Sequence, residues 1–189
     1  MIRASRNDKA LVVAILSASF ATNKSVNSIL PQNNRKEERL QRLMAYSFDV
    51  CLAFGDVFLS DDRKACTLLL FPEKKRPSIT TIWWDLKLVL QCIGLKNVWK
   101  AMRRETEIKA RQPREPFYYL WYIGVDPLWQ RKGTGSQLLN EVMAESERMG
   151  RTICLETSST ELVPWYQSKG FHVYSQLNSG FTLFFLKRD

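Results

Sequence analysis

The nine residues from Phe117 to Val125 read FYYLWYIGV, a run dominated by aromatic and β-branched side chains. That is the composition of a strand buried on both faces, so it belongs inside a layered α/β sheet. Asp126-Pro127 ends the run. A short loop with Gly133 and Gly135 follows, and a helix opens at once, from about Thr134 to Met149. Leu138, Leu139, Val142, Met143 and Met149 fall on one side of that helix, and Gly150 stops it as a C-terminal glycine does.

The rest of the chain supplies flanking elements. Ile2 to Ser5 reads as a short strand, and Asn7 as the cap of a helix with Ala10, Leu11, Ala14, Ile15 and Ala18 at helical spacing. Residues 21–34 are polar, contain Pro31 and read as a loop. A second helix fits Arg35 to Tyr46, with Leu40, Leu43 and Met44 inward. Val50 to Leu59 and Ala65 to Phe71 read as strands of a hairpin, turned by Asp61-Asp62-Arg63-Lys64. After a charged loop, Pro72 to Pro77, residues 78–112 read as a helical insertion. Ile82, Trp83, Leu86, Val89, Leu90 and Ile93 mark one apolar face of it, and Leu95, Val98, Trp99 and Met102 mark a second, with Gly94 between them. Pro113 and Pro116 close the segment. Downstream of the buried strand and its helix come a strand at Thr152 to Thr157 and a short helix at Leu162 to Lys169, ending at Gly170. A last strand pair, Phe171 to Leu177 and Phe181 to Lys187, turns through Asn178-Ser179-Gly180. This order is that of a mixed α/β sheet, and residues 1–189 read as one domain, with an insertion at about 78–112.

Composition narrows the function classes. The apolar run Ala10 to Phe20 is too short to span a bilayer and has no cleavage pattern after it, so the expected location is cytoplasmic, with peripheral membrane contact left open. Cys51, Cys66, Cys92 and Cys154 are scattered without a CxxC pair, and His172 is the only histidine, which argues against a metal site and against a Ser-His-Asp or Cys-His machine. The net charge is +9. Between Glu73 and Pro116 there are eleven Lys/Arg against five Asp/Glu, so +6 of it lies in that segment. Such a surface attracts an anion: nucleic acid, lipid headgroup or polyphosphate.

The loop after the buried strand selects among these. Gln130-Arg131-Lys132-Gly133-Thr134-Gly135 aims successive backbone N–H groups into one concavity at a helix N-terminus, where the helix dipole also favours an anion. The glycines let a phosphate approach the main chain, and Arg131 and Lys132 add mobile positive charge. The pattern suits a pyrophosphate. It is neither the Walker loop GxxxxGK[ST] nor the dinucleotide fingerprint GxGxxG.

Here the sequence resembles the GCN5-related N-acetyltransferase (GNAT) superfamily. Its signature Q/R-x-x-G-x-G/A stands at Gln130, Gly133 and Gly135, inside GVDP and QRKGTGSQLL. Leu155-Glu156-Thr157-Ser158 and Trp165-Tyr166-x-x-x-Gly170-Phe171 extend the likeness toward the subgroup of antibiotic-type enzymes such as puromycin N-acetyltransferase. The resemblance covers residues 117–175. It implies a mostly antiparallel central sheet flanked by helices, and transfer of an acetyl group from acetyl-CoA to a primary amine by direct attack in a ternary complex.

By residue, the resemblance implies that the amides from Gln130 to Gly135 hold the CoA pyrophosphate. Main-chain groups near Val125 would bind the pantetheine arm and polarise the thioester carbonyl, and Tyr166 would be the general acid. One position departs from the pattern: where many members carry an asparagine before the tyrosine helix, this chain has Thr160-Glu161-Leu162-Val163.

Alternatives stand beside each role. Tyr166 is either the acid or a packed aromatic beside Trp165. Glu156, near the end of a central strand, is either the general base or a solvated or ion-paired strand-end carboxylate, with a water chain doing the base's work. Arg131 and Lys132 contact phosphates or are ordinary surface charge. The insertion is a lid over the acceptor or an amphipathic surface element that meets a membrane or a partner. The expected partners are acetyl-CoA and a small amine, with no metal and no nucleic acid. A CoA-binding regulatory module without catalysis and a basic nucleic-acid-binding domain are the competing classes. The acceptor's identity and the oligomeric state leave no mark on the sequence.

Overall fold

The computed structural model describes the backbone of residues 1–189 and every side chain except those of Leu95 and Lys96. The Leu95 position of the second apolar face therefore lies outside the described residues. Seven strands form one sheet: β1 (Ile2–Arg3), β2 (Gly55–Leu59), β3 (Ala65–Leu70), β4 (Tyr118–Val125), β5 (Ile153–Thr157), β6 (His172–Asn178) and β7 (Thr182–Arg188). Their spatial order is β1-β2-β3-β4-β5-β7-β6. Every neighbouring pair is antiparallel except β4–β5, which is parallel. The mixed, mostly antiparallel sheet expected from the sequence is therefore present. The C-terminal hairpin enters with its second strand inward, beside β5.

Helices α1 (Lys9–Phe20), α2 (Lys24–Asn27), α3 (Lys36–Phe54), α4 (Ile79–Leu88), α5 (Leu95–Lys109), α6 (Thr134–Arg148) and α7 (Leu162–Gln167) flank the sheet. Two apolar layers result. Val12 and Leu16 of α1, Leu40, Met44 and Phe48 of α3, and Leu68 and Tyr122 of the sheet share one. Leu139 and Val142 of α6 and Tyr166 of α7 share the other with Leu69, Tyr118, Leu120 and Leu155.

Several boundaries differ from the sequence reading. Val50–Phe54 is not strand: α3 runs on to Phe54. Leu40, Leu43, Met44, Ser47, Phe48 and Cys51 are all buried, so the helical period simply continues past Tyr46. Gly55 ends it, because a Cβ there would lie 2.0 Å from the Leu69 carbonyl oxygen on the paired strand. The first helix is entered through Ser5 rather than Asn7. The Asn7 amide donates to Ser5 Oγ (3.3 Å) and the Ser5 amide to Asp8 Oδ2 (2.8 Å), a reciprocal cap on a short 3-10 turn. The buried face of α1 is Val12, Ile15, Leu16 and Ser17, while Ala10, Ala14 and Ala18 are exposed. An apolar helix has no polar side to select a face, and the larger side chains take the core. The loop at 21–34 contains α2, capped by Asn23 Oδ1, which accepts from the Val26 amide at 3.0 Å.

The insertion is two helices, as expected, joined by a π-turn (Val89–Ile93) that closes with the Gly94 amide donating to the Val89 carbonyl at 2.8 Å. Gly94 sits at φ 75°, a conformation that suits glycine. Thr81, Trp84 and Leu88 of α4 turn inward, while Ile82, Trp83, Leu86 and Leu90 of the apolar face read from the spacing are exposed. Among the described residues no helix is long and apolar enough to cross a membrane.

Candidate active site

The site begins with the strand pair that does not stay paired. β4 and β5 share only two registered positions, Tyr118↔Ile153 and Tyr119↔Cys154, although β4 continues to Val125 and β5 to Thr157. Beyond those positions the two strands part, and the main chain along that side of β4 has no β5 partner. On its other side β4 carries a bulge. Leu68 pairs with Tyr122 but Leu69 with Leu120, so Trp121 is the extra residue. The bulge breaks the simple alternation of a regular strand. Tyr118 and Leu120 face α6, whereas Tyr119, Trp121 and Tyr122 all face the α1/α3 layer.

At the end of β4 the chain turns through the glycine loop into α6. Arg131 adopts φ 61° and Gly133 φ 88°, and α6 starts at Thr134 with no side-chain cap and no acidic residue in its first turn. The first helical bond runs from the Gln137 amide to the Gly133 carbonyl at 2.9 Å. The earlier amides of the turn therefore have no intrahelical acceptor. Gly135 is needed for approach: a Cβ there would lie 3.0 Å from Val125 Cγ2, so α6 starts hard against the end of β4. The Val125 carbonyl is already used, accepting from Ser19 Oγ at 2.6 Å and Gln130 Nε2 at 3.2 Å. Lys132 Nζ lies 4.4 Å and Lys64 Nζ 5.0 Å from the centre of the Trp129 ring, bringing two ammonium groups to the rim of the loop. Open amides, a dipole, cations and a first helical turn free of acidic residues fit an anionic diphosphate.

Tyr166 lies on the same face. Trp165 Nε1 donates to Ser136 Oγ in the first turn of α6 (3.2 Å), docking α7 against the cradle. The Tyr166 ring packs edge-on against Trp165 and Phe171, at centroid distances of 4.7 and 5.6 Å. Among the described residues nothing hydrogen-bonds its hydroxyl, and burial alone holds the phenol well above its usual range. It is therefore protonated at neutral pH.

Glu156 lies on the opposite face, because it follows Leu155, which belongs to the α6/α7 layer. Its Oε2 accepts from the Tyr119 hydroxyl, and its Oε1 accepts from Gln112 Nε2 at 3.2 Å. Burial pushes its carboxyl up to about 6, against the opposing pull of the Tyr119 and Gln112 hydrogen bonds and the Arg104 charge. Arg104 is fixed on α5 by Nη1 bonds to the Ser25 carbonyl and Ser28 Oγ, each 2.8 Å, and lies 5.4 Å from the Phe181 ring centre. The insertion thus reaches over this end of the sheet, through Gln112 and α5.

The predicted residues fall into two groups. Gln130, Arg131, Lys132, Gly133, Thr134 and Gly135 gather with Val125 and Tyr166 around the start of α6, and Glu156 stands across the sheet from them. The alternative of an ion-paired Glu156 does not hold: its direct partners are a phenol and an amide. Gln112 and Arg104 did not emerge from the sequence, because their approach to Glu156 depends on the path of the insertion, and the pairing of Tyr119 with Glu156 depends on the register of β4. Ser136, Ser19 and Lys64 were missed likewise.

Residues 89–173 match the family described as "Acetyltransferase (GNAT) domain". Among solved structures, the chain is similar to a histone acetyltransferase HPA2 and related acetyltransferase from Corynebacterium glutamicum. The TM-score is 0.73 at 18% identity, over 99% of this chain and 93% of that one. It is similar also to arylalkylamine N-acetyltransferase 2 from Aedes aegypti, with TM-score 0.64 and 15% identity over 98% and 96% of the two chains. A third is the C-terminal condensation domain of Ebony in complex with beta-alanyl-dopamine, with TM-score 0.65 and 10% identity over 99% and 96%. Together with the seven-stranded sheet and its parting β4–β5 pair, these likenesses give the chain the fold of the GNAT acetyltransferases.

Proposed function

We propose that this protein is an N-acetyltransferase that carries an acetyl group from acetyl-CoA to a small primary amine within a ternary complex. The observation that carries the reading is the gap between β4 and β5, which ends on an uncapped, glycine-built helix start with a protonated phenol on one face and a titratable carboxyl on the other. The amides from Gln130 to Gly135 would hold the pyrophosphate, with Arg131, Lys132 and Lys64 neutralising it. The main chain near Val125, unpaired on the β5 side, would take the pantetheine arm much as a strand takes a partner. This acyl donor supplies the activated thioester; the chain's residues supply position and protons.

Glu156 would accept the ammonium proton of the incoming amine, directly or through water, since a carboxyl near 6 is largely ionised at neutral pH yet basic enough to compete. The free amine then forms a C–N bond to the acyl carbon as the C–S bond breaks. Tyr166 would give its hydroxyl proton to the departing thiolate, and the proton shed by the nitrogen as it becomes an amide would pass through water to restore the phenol. The half-buried rings of Tyr119 and Trp121, stacked at 6.4 Å beside Glu156, would pack the acceptor's apolar body. That suits the arylalkylamine named for one structural relative. Assignment to the puromycin-type subgroup rests on the strings around Glu156 and Tyr166 alone. Four buried free thiols favour a reducing, cytoplasmic setting.

The test is the unfolding midpoint with and without excess acetyl-CoA, followed by thiol release on adding amines. Ligand at about 100 times its dissociation constant stabilises by roughly 2.7 kcal/mol. A rise that vanishes in Gly135→Trp, together with amine-dependent thiol release, is the expected result. A rise with no release for any amine would leave a CoA-binding regulatory module, and no rise would overturn the reading.

A further inference from the structure

Helix α4 inverts the usual relation of a helix to its protein. Ile79, Ile82, Trp83, Leu86 and Leu90 follow one stripe at i, i+3, i+4, i+7 and i+11, and each is between 44% and 90% exposed. The helix is already anchored on its other side. Trp84 and Leu88 pack on the α1/α3 layer, and the Tyr46 hydroxyl donates to Asp85 Oδ1 at 2.6 Å. The outward stripe is therefore surplus to folding. Scattered exposed apolar residues are ordinary, but a contiguous row of five large ones marks an interaction surface. On α5, Trp99 and Met102 are exposed too.

The charge around the stripe selects its occupant. Residues 73–116 hold eleven Lys/Arg and five Asp/Glu. Four of those acids are engaged within the protein: Glu73 with Arg151, Asp85 with Tyr46, Glu105 with Lys109 and Glu107 with Arg103. Lys74, Arg76, Lys87 and Lys100 are exposed, and Lys87 Nζ lies 5.2 Å from the ring centre of Trp83, on the stripe itself. A one-sided apolar stripe bearing tryptophan and bordered by lysine and arginine is the composition of a helix that lies in a lipid–water interface. The apolar side chains enter the acyl boundary and the cations meet anionic headgroups.

We infer that the outer face of α4 docks this protein on an anionic lipid surface. Sedimentation of the full chain with vesicles tests it. One vesicle set is phosphatidylcholine alone and the other an equal mixture of phosphatidylcholine and phosphatidylserine, each at low and high salt. The chain is expected to sediment with the mixed vesicles at low salt, and less at high salt. The double variant Ile82→Ser/Leu86→Ser should lower the bound partition at least about tenfold, since each buried leucine-sized side chain is worth roughly one power of ten or more. Both positions are exposed, so the variant's unfolding midpoint should match the parent's. That match separates lost docking from lost folding. Absence of binding, equal binding to neutral vesicles, or full binding by the double variant overturns the inference. So does a dimer in light scattering that the double variant dissociates, which would assign the face to a second copy of the chain.

Discussion

The two faces of the sheet treat their ionisable groups differently at the gap between β4 and β5. On the α6/α7 face Tyr166 has aromatic neighbours and no hydrogen-bond partner among the described residues, and burial alone sets its proton affinity. On the other face Glu156 is enclosed too, but Tyr119, Gln112 and Arg104 pull against burial and hold its carboxyl at about 6. The same loss of water keeps a phenol protonated. It makes a usable acceptor of a carboxylate only where donors and a cation restrain it. If this contrast is functional, variants on the two faces will differ in pH dependence as well as in rate.

The largest effect is expected from Tyr166→Phe, which keeps the packing and removes the proton. Turnover should fall roughly 10²-fold or more, in the range of an acid–base group. The acidic limb of kcat/KM should stay where it was, because Glu156 is untouched. A limb that moves with Tyr166→Phe would mean that the two faces are not separate.

Next comes Glu156→Gln, with an expected loss of about 10- to 100-fold. In the parent, kcat/KM should rise with pH through about 6 as Glu156 ionises, and the variant should lose that rise. Stability supplies an independent sign. A carboxyl raised from 4.5 to about 6 binds its proton more tightly in the folded state, so folding stability declines as pH climbs through that interval. Glu156→Gln removes the penalty, so its unfolding midpoint should exceed the parent's at neutral pH and converge on it in acid.

Tyr119→Phe sharpens the comparison without removing either catalytic candidate. The hydroxyl's hydrogen bond lowers the Glu156 value, so its loss should carry the acidic limb to higher pH. The rate at high pH should change far less than in Glu156→Gln. An unmoved limb would detach Tyr119 from the base.

The two faces also differed in how far the sequence disclosed them. The cradle is local: strand end, glycines and helix start fall within Val125 to Gly135, so spacing alone locates it. Helix α6 has a polar side, and of the five residues read onto its apolar side Leu138, Leu139, Val142 and Met143 are buried, while Met149, just past its end, is partly buried. On the opposite face these signals fail. Helices α1 and α4 carry apolar residues on both sides, so periodicity does not say which side packs inward. The length of α3 was hidden because Val50 to Phe54 suits strand or helix equally. The surroundings of Glu156 were hidden for a different reason. Tyr119 and Gln112 are 37 and 44 residues from it in sequence, and the bulge at Trp121 sets which aromatics face it.

The smallest effect belongs to Gln112→Ala, and it probes the segment that no motif covered. Gln112 follows α5, and its amide reaches Glu156 Oε1 at 3.2 Å, at the long end of a useful hydrogen bond. It pulls the carboxyl down less than Tyr119 does. Removing it should therefore shift the acidic limb upward by less than Tyr119→Phe. If Gln112 serves only that bond, the KM for the amine will stay constant while the limb moves. If the end of the insertion also lines the acceptor's path, KM will change at pH values where Glu156 is fully ionised. That split would separate an electrostatic role from a steric one, and an unaltered profile with unaltered KM would reduce Gln112 to a surface contact.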